Sequence, residues 1–142
     1  MSDAGKAYFG RRYPISASHR LHTAALTAEE NCAAYGKCNN AHGHGHNYVV
    51  ELLVGGAVDR ETGMVVDLVA LDNSVDERIL QRFDHANLNL DPLFAERVPT
   101  TENFCQAIFV LLRDALPAGE LEYVRVEETE NNFFECSAQP VS

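Results

Sequence analysis

The sequence predicts an α+β domain in which two helices cover one face of an antiparallel sheet. Three observations support this prediction. Residues 47–54 (NYVVELLV) are apolar and rich in β-branched side chains, as in a buried strand. Apolar residues recur at spacings of three and four between residues 68 and 79, and again after Thr100, as in amphipathic helices. Residues 122–127 (EYVRVE) alternate between polar and apolar, as in a second strand. Helices grouped between runs of strands are typical of α+β folds.

The elements of the N-terminal half follow from local signals. Residues 8–21 predict an extended segment. A capping-box pattern that begins at Thr27 predicts a short helix ending near Gly36. After the strand at 47–54, the turn-forming run 59–63 (DRETG) predicts a hairpin with residues 64–66 as its second arm.

The C-terminal half predicts two helices and two strands. Asp67 is the expected N-cap of the first helix, whose apolar stripe is Leu68, Leu71, Val75 and Ile79. Thr100 and the residues after it open the second helix, which residues 117–119 (PAG) end. The inward-facing positions of that helix are Phe104, Ile108, Leu111 and Leu112. A turn at 131–132 leads to a last strand over 133–136.

The edges of this sheet predict an assembly of several copies. A sheet of four strands in so short a chain leaves edge strands with unpaired backbone groups. Pairing those edges between copies removes the liability, so we expect an oligomer built through the sheet. The alternative is a monomer whose edge strands are protected by charged side chains.

The composition excludes two broad classes of partner. The chain has 142 residues, the usual size of one domain, and a formal net charge of −10, whereas a nucleic-acid surface needs a basic patch. No apolar run approaches the ~18 residues of a membrane span. Residues 1–6 lack the apolar stretch of a secretory signal, which predicts a cytoplasmic location. The four cysteines have no paired spacing and are expected to be free thiols.

A run of histidines separated by glycines, His42, His44 and His46, predicts a metal site. Strand residues i and i+2 lie roughly 6.6 Å apart on one face, but i and i+4 roughly 13 Å apart, so three in a row cannot easily share one ion. We expect His44 and His46 as a pair, because they lead directly into the strand, with a remote third ligand. That ligand is His19 or, less favourably, His22. Three histidines would leave one zinc position open; the alternative is a set of surface histidines without metal.

Cys38 is the candidate reactive thiol. Lys37 beside it and a nearby metal would both favour the thiolate, which makes Cys38 a candidate general base. Cys32, Cys105 and Cys136 are expected to be small hydrophobes in or near the core.

Two further clusters are candidates for a catalytic or binding role. In a loop, Asp84 can orient the imidazole of His85 and raise its basicity, although such a pair is usually only solvated. The acidic strand end 127–130 (EETE) offers a carboxylate that can hold the guanidine-like edge of a heterocycle by paired hydrogen bonds.

Seven short motifs extend over residues 8–136 in a specific order. They are residues 16–21 (SASHRL), 36–40 (GKCNN), 43–48 (GHGHNY), 62–65 (TGMV), 84–88 (DHANL), 100–103 (TTEN) and 128–129 (ET). With these motifs the chain resembles the 6-pyruvoyltetrahydropterin synthase family. The resemblance implies one domain over 1–142, with its core about 8–136, and the tunnelling fold. In that fold, ββααββ subunits form two stacked trimers, a homohexameric barrel with active sites between subunits.

The resemblance also implies a lyase that converts 7,8-dihydroneopterin triphosphate to 6-pyruvoyltetrahydropterin and releases triphosphate. It implies Zn²⁺ as the cofactor and a role for each matched residue. The implied roles are zinc binding by His19, His44 and His46, proton abstraction by Cys38, proton relay by Asp84 and His85, and pterin binding by Glu128, Thr100 and Thr101.

Two other branches of the resemblance bear on the product. A sister branch makes 6-carboxytetrahydropterin for queuosine synthesis and has its histidine pair closer to the cysteine, which His42 and His44 would fit. Asn47 and Tyr48 follow His46, as they follow the second histidine of the family pair, which favours His44 with His46 and the pyruvoyl branch. His42 is then expected to line the entrance. A folate-linked branch has a carboxylate at the position of the cysteine, so Cys38 argues against it.

A different class of function is a non-catalytic zinc-binding protein with a histidine-rich loop. This reading accounts for the histidine run but leaves Cys38, Asp84, His85 and Glu128 without a role.

Overall fold

The computed structural model describes residues 5–116 and 120–138, which form a five-stranded sheet with helices against one face. The elements in chain order are β1 (Ala7–His19), α1 (Ala28–Tyr35), β2 (His44–Gly56), α2 (Leu68–Val75), α3 (Gln81–Phe83), β3 (Ala86–Asn87), α4 (Thr101–Ala115), β4 (Leu121–Thr129) and β5 (Asn132–Ser137). A π-helical turn, Asp76–Leu80, joins α2 to α3. Single 3-10 turns lie at Gly36–Asn39, Leu88–Leu90 and Pro92–Phe94. The predicted α+β class is confirmed.

The sheet has the strand order β3-β1-β2-β4-β5. β1 and β2 pair antiparallel along their whole lengths, from Ala7 opposite Gly56 to His19 opposite His44. β4 and β5 continue the antiparallel sheet on the far side of β2. Only the two-residue β3 runs parallel, beside the end of β1. The predicted antiparallel sheet is therefore confirmed, with β3 as an addition that the sequence did not indicate.

The predicted second arm of a hairpin at residues 64–66 is wrong. The turn itself forms: Asp59 accepts a hydrogen bond from the backbone N–H of Gly63 at 2.8 Å, and its own N–H donates to Met64 at 2.8 Å. Residues 64–66 then continue as irregular chain. They have no place in the sheet, because β1 and β4 already occupy the two sides of β2.

The helices begin at the predicted caps. Thr27 forms the capping box of α1 with Glu30, and Asp67 and Thr100 cap α2 and α4 through their side chains. Of the predicted inward positions, Leu68 and Leu111 are half-buried and the others are buried. The predicted end of α4 at residues 117–119 lies outside the described residues. No helix in the described ranges has the length and apolarity to cross a bilayer.

The core lies between the helices and the facing side of the sheet. Its aromatic centre is Phe104, whose ring packs edge-on against Tyr48 at 5.3 Å and Phe83 at 5.1 Å between centroids. Cys105 is buried and Cys136 half-buried, as predicted, but the same prediction for Cys32 is wrong. Cys32 is exposed because the buried face of α1 is occupied by the Asn31 side chain, which bonds the backbone of Thr23.

Candidate active site

Three histidines meet where β1 ends and β2 begins. His19 and His44 are partners in the register, and His46 lies opposite Ala17, so all three side chains leave the same face. The ring centroid of His19 lies 4.8 Å from that of His44 and 5.0 Å from that of His46. One ligand nitrogen from each ring lies within 4.8 Å of the others. Their role as zinc ligands stays a prediction.

Gly43 sets the start of β2 and thereby the position of the histidine pair. Its φ of +72° lies in the left-handed region that side chains disfavour. A Cβ at this position would also lie 3.0 Å from the carbonyl oxygen of His19. The glycine therefore permits the tight turn that brings His44 opposite His19.

The buried imidazole of His19 has a defined tautomer. Its Nδ1 lies 2.8 Å from the carbonyl oxygen of Pro99, which can only accept, so Nδ1 carries the proton. Burial lowers the pKa of His19, and the neighbouring histidines lower it further, although the Pro99 carbonyl and Glu128 act to raise it. Burial also lowers the pKa of His46. Both rings are thus held in the neutral form that metals bind.

The donor set fits a zinc ion. His19 Nε2 is buried and has no hydrogen-bond partner among the described residues, and the Nε2 atoms of His44 and His46 lie 2.8 Å apart beside it. Leaving a buried polar atom unpaired costs about 1–3 kcal/mol, which a metal bond would offset. Clustered imidazole nitrogens are typical zinc ligands, and three of them leave a fourth position for substrate.

Cys38 lies in the turn Gly36–Asn39, whose position is fixed by a 2.7 Å hydrogen bond from the N–H of Leu21 to the Cys38 carbonyl. Burial raises the pKa of the Cys38 thiol, and the negative charge of Glu128 raises it further. Lys37 is exposed, and the prediction that it and a nearby metal favour the thiolate stays a prediction.

Glu128 is the penultimate residue of β4 and lies on the face that carries the histidines. It accepts hydrogen bonds from the hydroxyl of Thr101 and, at 3.2 Å, from the side-chain amide of Asn132. Although burial acts to raise it, these bonds and the nearby His46 and His19 hold the pKa of Glu128 below its ordinary value. The site thus contains a charged carboxylate beside the histidines. Thr100 caps α4, accepting from the N–H of Asn103 at 3.1 Å, and its role in pterin binding stays a prediction.

Asp84 and His85 lie at the β3 edge of the sheet. Asp84 Oδ1 accepts from the N–H of Ser16 at 2.9 Å, and the side chain of His85 lies 3.7 Å from Asp84 and is 81% exposed. His85 adopts φ +61° and lines a shallow cleft with Ser16, His46 and Asn47. The catalytic role of Asp84 and His85 stays a prediction.

The other two histidines lie outside the cluster. His42 is exposed and lines a cleft with Arg20 and Asn89. His22 Nδ1 lies 3.2 Å from the side-chain amide of Asn39 and accepts its hydrogen bond. Of the alternatives that the sequence left open, the structure brings His19, His44 and His46 together.

The sequence analysis did not identify three groups of the site. The Pro99 carbonyl belongs to the backbone and has no side-chain signal. Asn132 was interpreted only as a turn residue. Tyr48 was interpreted as part of a strand and of the histidine motif but not as a partner of His19, although its hydroxyl lies 3.3 Å from His19 Nδ1. The one available signal was the hydroxyl of Tyr48 in a strand predicted to be buried, since a buried hydroxyl needs a hydrogen-bond partner.

Comparison with known proteins decides the family. The family model described as 6-pyruvoyl tetrahydropterin synthase matches residues 9–139. The chain belongs to the 6-pyruvoyl tetrahydropterin synthase family. The match extends beyond the histidines to almost the whole chain, and the resemblance inferred from the sequence motifs is confirmed.

Individual relatives agree with this assignment. The 6-pyruvoyl tetrahydrobiopterin synthase of Homo sapiens is 48% identical over 129 residues, 90% of this chain and 89% of that protein. The solved Caenorhabditis elegans 6-pyruvoyl tetrahydropterin synthase is 37% identical, with a TM-score of 0.92 over 98% of this chain and 100% of that one. A putative 6-carboxy-5,6,7,8-tetrahydropterin synthase of Archaeoglobus fulgidus is 34% identical over 111 residues, 78% of this chain and 88% of that protein.

Proposed function

We propose that this member of the 6-pyruvoyl tetrahydropterin synthase family is a zinc-dependent lyase. Its reaction converts 7,8-dihydroneopterin triphosphate to 6-pyruvoyltetrahydropterin and releases triphosphate. The observation that supports it best is that His19, His44 and His46 converge on one point, with Cys38 and the charged Glu128 near enough for Glu128 to affect the pKa of Cys38 and of the histidines. The names of the human and C. elegans relatives support the substrate class.

In this proposal, different residues bind the substrate, hold the metal and transfer the proton. Glu128, held by Thr101 and Asn132, binds the guanidine-like edge of the pterin through paired hydrogen bonds. His19, His44 and His46 hold the metal. When bound, zinc supplies positive charge that polarises the side-chain hydroxyls of the substrate and favours the Cys38 thiolate. Cys38 then takes the proton from the neighbouring carbon.

A second copy of the chain completes the site in this proposal. Asp84 and His85 lie beside the β3 edge, where His85 is exposed, and in this proposal a neighbouring copy supplies them to Cys38. β3 covers only Ala17 and Ser18, while the earlier part of β1 and the far side of β5 form the sheet edges among the described residues. Pairing these edges between copies would give the closed, barrel-like trimer, two of which stack in a hexamer.

A second candidate reaction is the synthesis of 6-carboxytetrahydropterin, as in queuosine formation. The relative in A. fulgidus supports it by name. The position of His42 argues for the pyruvoyl reaction, because His42 is exposed and the cluster uses His44 and His46 instead. A non-catalytic zinc-binding protein would leave Cys38 and Glu128 beside the histidines without a task.

The test is release of triphosphate from dihydroneopterin triphosphate by zinc-loaded protein. We expect the wild type to turn over the substrate. We expect Glu128→Gln to have a higher KM, because that carboxylate binds the pterin. Zinc-loaded protein that binds the substrate but releases no triphosphate would contradict the proposal. Glu122→Gln is the matched control, because Glu122 pairs with Lys6 at 3.0 Å, outside the site.

A further inference from the structure

Both halves of the candidate site rest on one short corner before α4. The Pro99 carbonyl accepts from His19 Nδ1 at 2.8 Å, and two residues later the hydroxyl of Thr101 donates to Glu128. The proposed metal ligand His19 and the pterin-binding carboxylate of Glu128 are thus both bonded to residues of the same short segment, 99–101.

Asn103 holds this corner in place. Its side-chain amide donates to the carbonyl of Val98 at 2.8 Å, and its backbone N–H donates to the Thr100 hydroxyl at 3.1 Å. The corner is therefore anchored to the first turn of a 15-residue helix.

Tyr48 lies between the two halves. It is fully buried, and its hydroxyl oxygen lies 3.3 Å from His19 Nδ1. Because that nitrogen carries the proton, the Tyr48 oxygen accepts from it alongside the Pro99 carbonyl. The ring packs edge-on against His46 at 5.4 Å and Phe104 at 5.3 Å between centroids, so the hydroxyl has little freedom to move.

The Tyr48 hydroxyl also faces the substrate side of the site. Burial raises the pKa of Tyr48, and the charge of Glu128 raises it further, so the hydroxyl remains protonated. Thr101 donates its single hydroxyl hydrogen to Glu128, so the Tyr48 hydroxyl is the donor in its hydrogen bond with Thr101. In one position it neighbours both a metal ligand and the residue that holds the pterin-binding carboxylate.

We propose that the Tyr48 hydroxyl is a positioning group that couples the metal ligand His19 to the substrate-binding pair Thr101 and Glu128. This inference rests on the proposed function. The Pro99 carbonyl sets the tautomer of His19, and the bond from Nδ1 to Tyr48 adds to it in fixing the rotation of the ring; a group in that position is typically worth 10–100-fold in metal affinity. The bond with Thr101 sets the direction in which Glu128 faces the substrate. The hydroxyl itself transfers no proton.

The experiment is Tyr48→Phe, which keeps the ring and its packing and removes only the hydroxyl. Zinc affinity is measured by competition with a chromophoric chelator, and KM and kcat at saturating zinc. We expect a zinc Kd about tenfold higher, and a higher KM with little change in kcat, since binding groups are displaced and proton transfer is not. The matched control is Tyr13→Phe, which loses a 2.6 Å hydrogen bond to Asp72 away from the site.

A second variant tests the contact between Tyr48 and the substrate-binding residue Thr101. Thr101→Val should raise KM, and its effect should be less than additive with Tyr48→Phe, because both remove the same contact. If folded Tyr48→Phe matches Tyr13→Phe in zinc Kd and KM, or if the two KM effects simply add, the coupling is overturned. Wild-type protein that neither retains zinc nor turns over substrate would instead overturn the proposed function, and this inference with it.

Discussion

His19 on β1 and His44 on β2 are direct partners in the antiparallel register, and their ring centroids lie 4.8 Å apart. His46 joins them from the next inward position of β2, opposite Ala17. The geometry of the histidine cluster is therefore a property of one strand pair. Thirteen consecutive register pairs hold these two strands together, so the cluster is preorganised by the sheet before any ligand binds.

The first prediction concerns zinc retention. Replacing His19, His44 or His46 by Ala should lower zinc affinity by more than about 100-fold, beyond the cost of losing a residue that only supports a ligand. Bound metal after dialysis against a chelator measures this. His42→Ala and Cys38→Ala are the controls and should retain zinc. Loss of zinc from Cys38→Ala would make the thiol a ligand, and unchanged zinc in His19→Ala would point to His22 or His42.

The second prediction concerns the titration of Cys38. In zinc-free protein its thiol should be alkylated with a midpoint above that of an ordinary cysteine, because burial and the charge of Glu128 both raise its pKa. Glu128→Gln removes that negative charge and should shift the midpoint to lower pH. Alkylation rates resolved by peptide mass spectrometry measure this, with the exposed Cys32 as internal control. An unchanged midpoint would show that Glu128 does not act on the thiol.

The third prediction concerns the sharing of sites between copies. Cys38→Ala and His85→Gln should each reduce turnover by about 100-fold or more, the usual effect of losing a general acid or base. Co-expressed, the two variants should recover part of the activity, because one copy supplies Cys38 and its neighbour supplies His85.

The control for subunit mixing is Cys38→Ala co-expressed with the double variant Cys38→Ala/His85→Gln, which should stay inactive. Native mass spectrometry verifies that mixed oligomers form. Mixed oligomers without recovered activity would show that each site draws on a single chain.

The fourth prediction concerns stability. Arg82 binds Asp91 through two hydrogen bonds of 2.8 Å, which lower the pKa of Asp91 although partial burial opposes them. Asp91→Asn should lower the free energy of unfolding by about 1 kcal/mol near neutral pH, since Arg82 is partly exposed.

The pH dependence of this effect follows from the sign of the shift. The stabilisation is present above the ordinary pKa of an unfolded Asp, about 3.9, and is lost as pH falls through the lower folded value. Urea unfolding of wild type and variant at several pH values measures this. Asp114→Asn, in an exposed pair with Arg113, should change little. A difference that does not shrink at low pH would contradict the assignment to this ion pair.

Local signals in the sequence predicted the helices well. Thr27, Asp67 and Thr100 cap them as expected, because a cap depends on residues only three positions apart. The sequence predicted β2 from residue 47, whereas it begins at His44, and it predicted a strand at 64–66 that does not form. Both errors concern pairing with distant strands, which no local pattern contains.

In the candidate site, too, the sequence predicted what depends on local spacing and missed what depends on distant contacts. Strand spacing predicted a histidine pair with a remote third histidine, and the structure brings His19 to His44 and His46. The Pro99 carbonyl and the Tyr48 hydroxyl could not be predicted, because their contacts depend on how a distant corner packs against β1 and β2.

The mass of the pterin product tests the central claim most directly. Zinc-loaded protein is incubated with 7,8-dihydroneopterin triphosphate, and the pterin and the released phosphates are identified by mass spectrometry, with His19→Ala as the matched control. We predict 6-pyruvoyltetrahydropterin and one equivalent of triphosphate from the wild type, and neither from the variant. A 6-carboxytetrahydropterin product, or unchanged substrate, would contradict the claim.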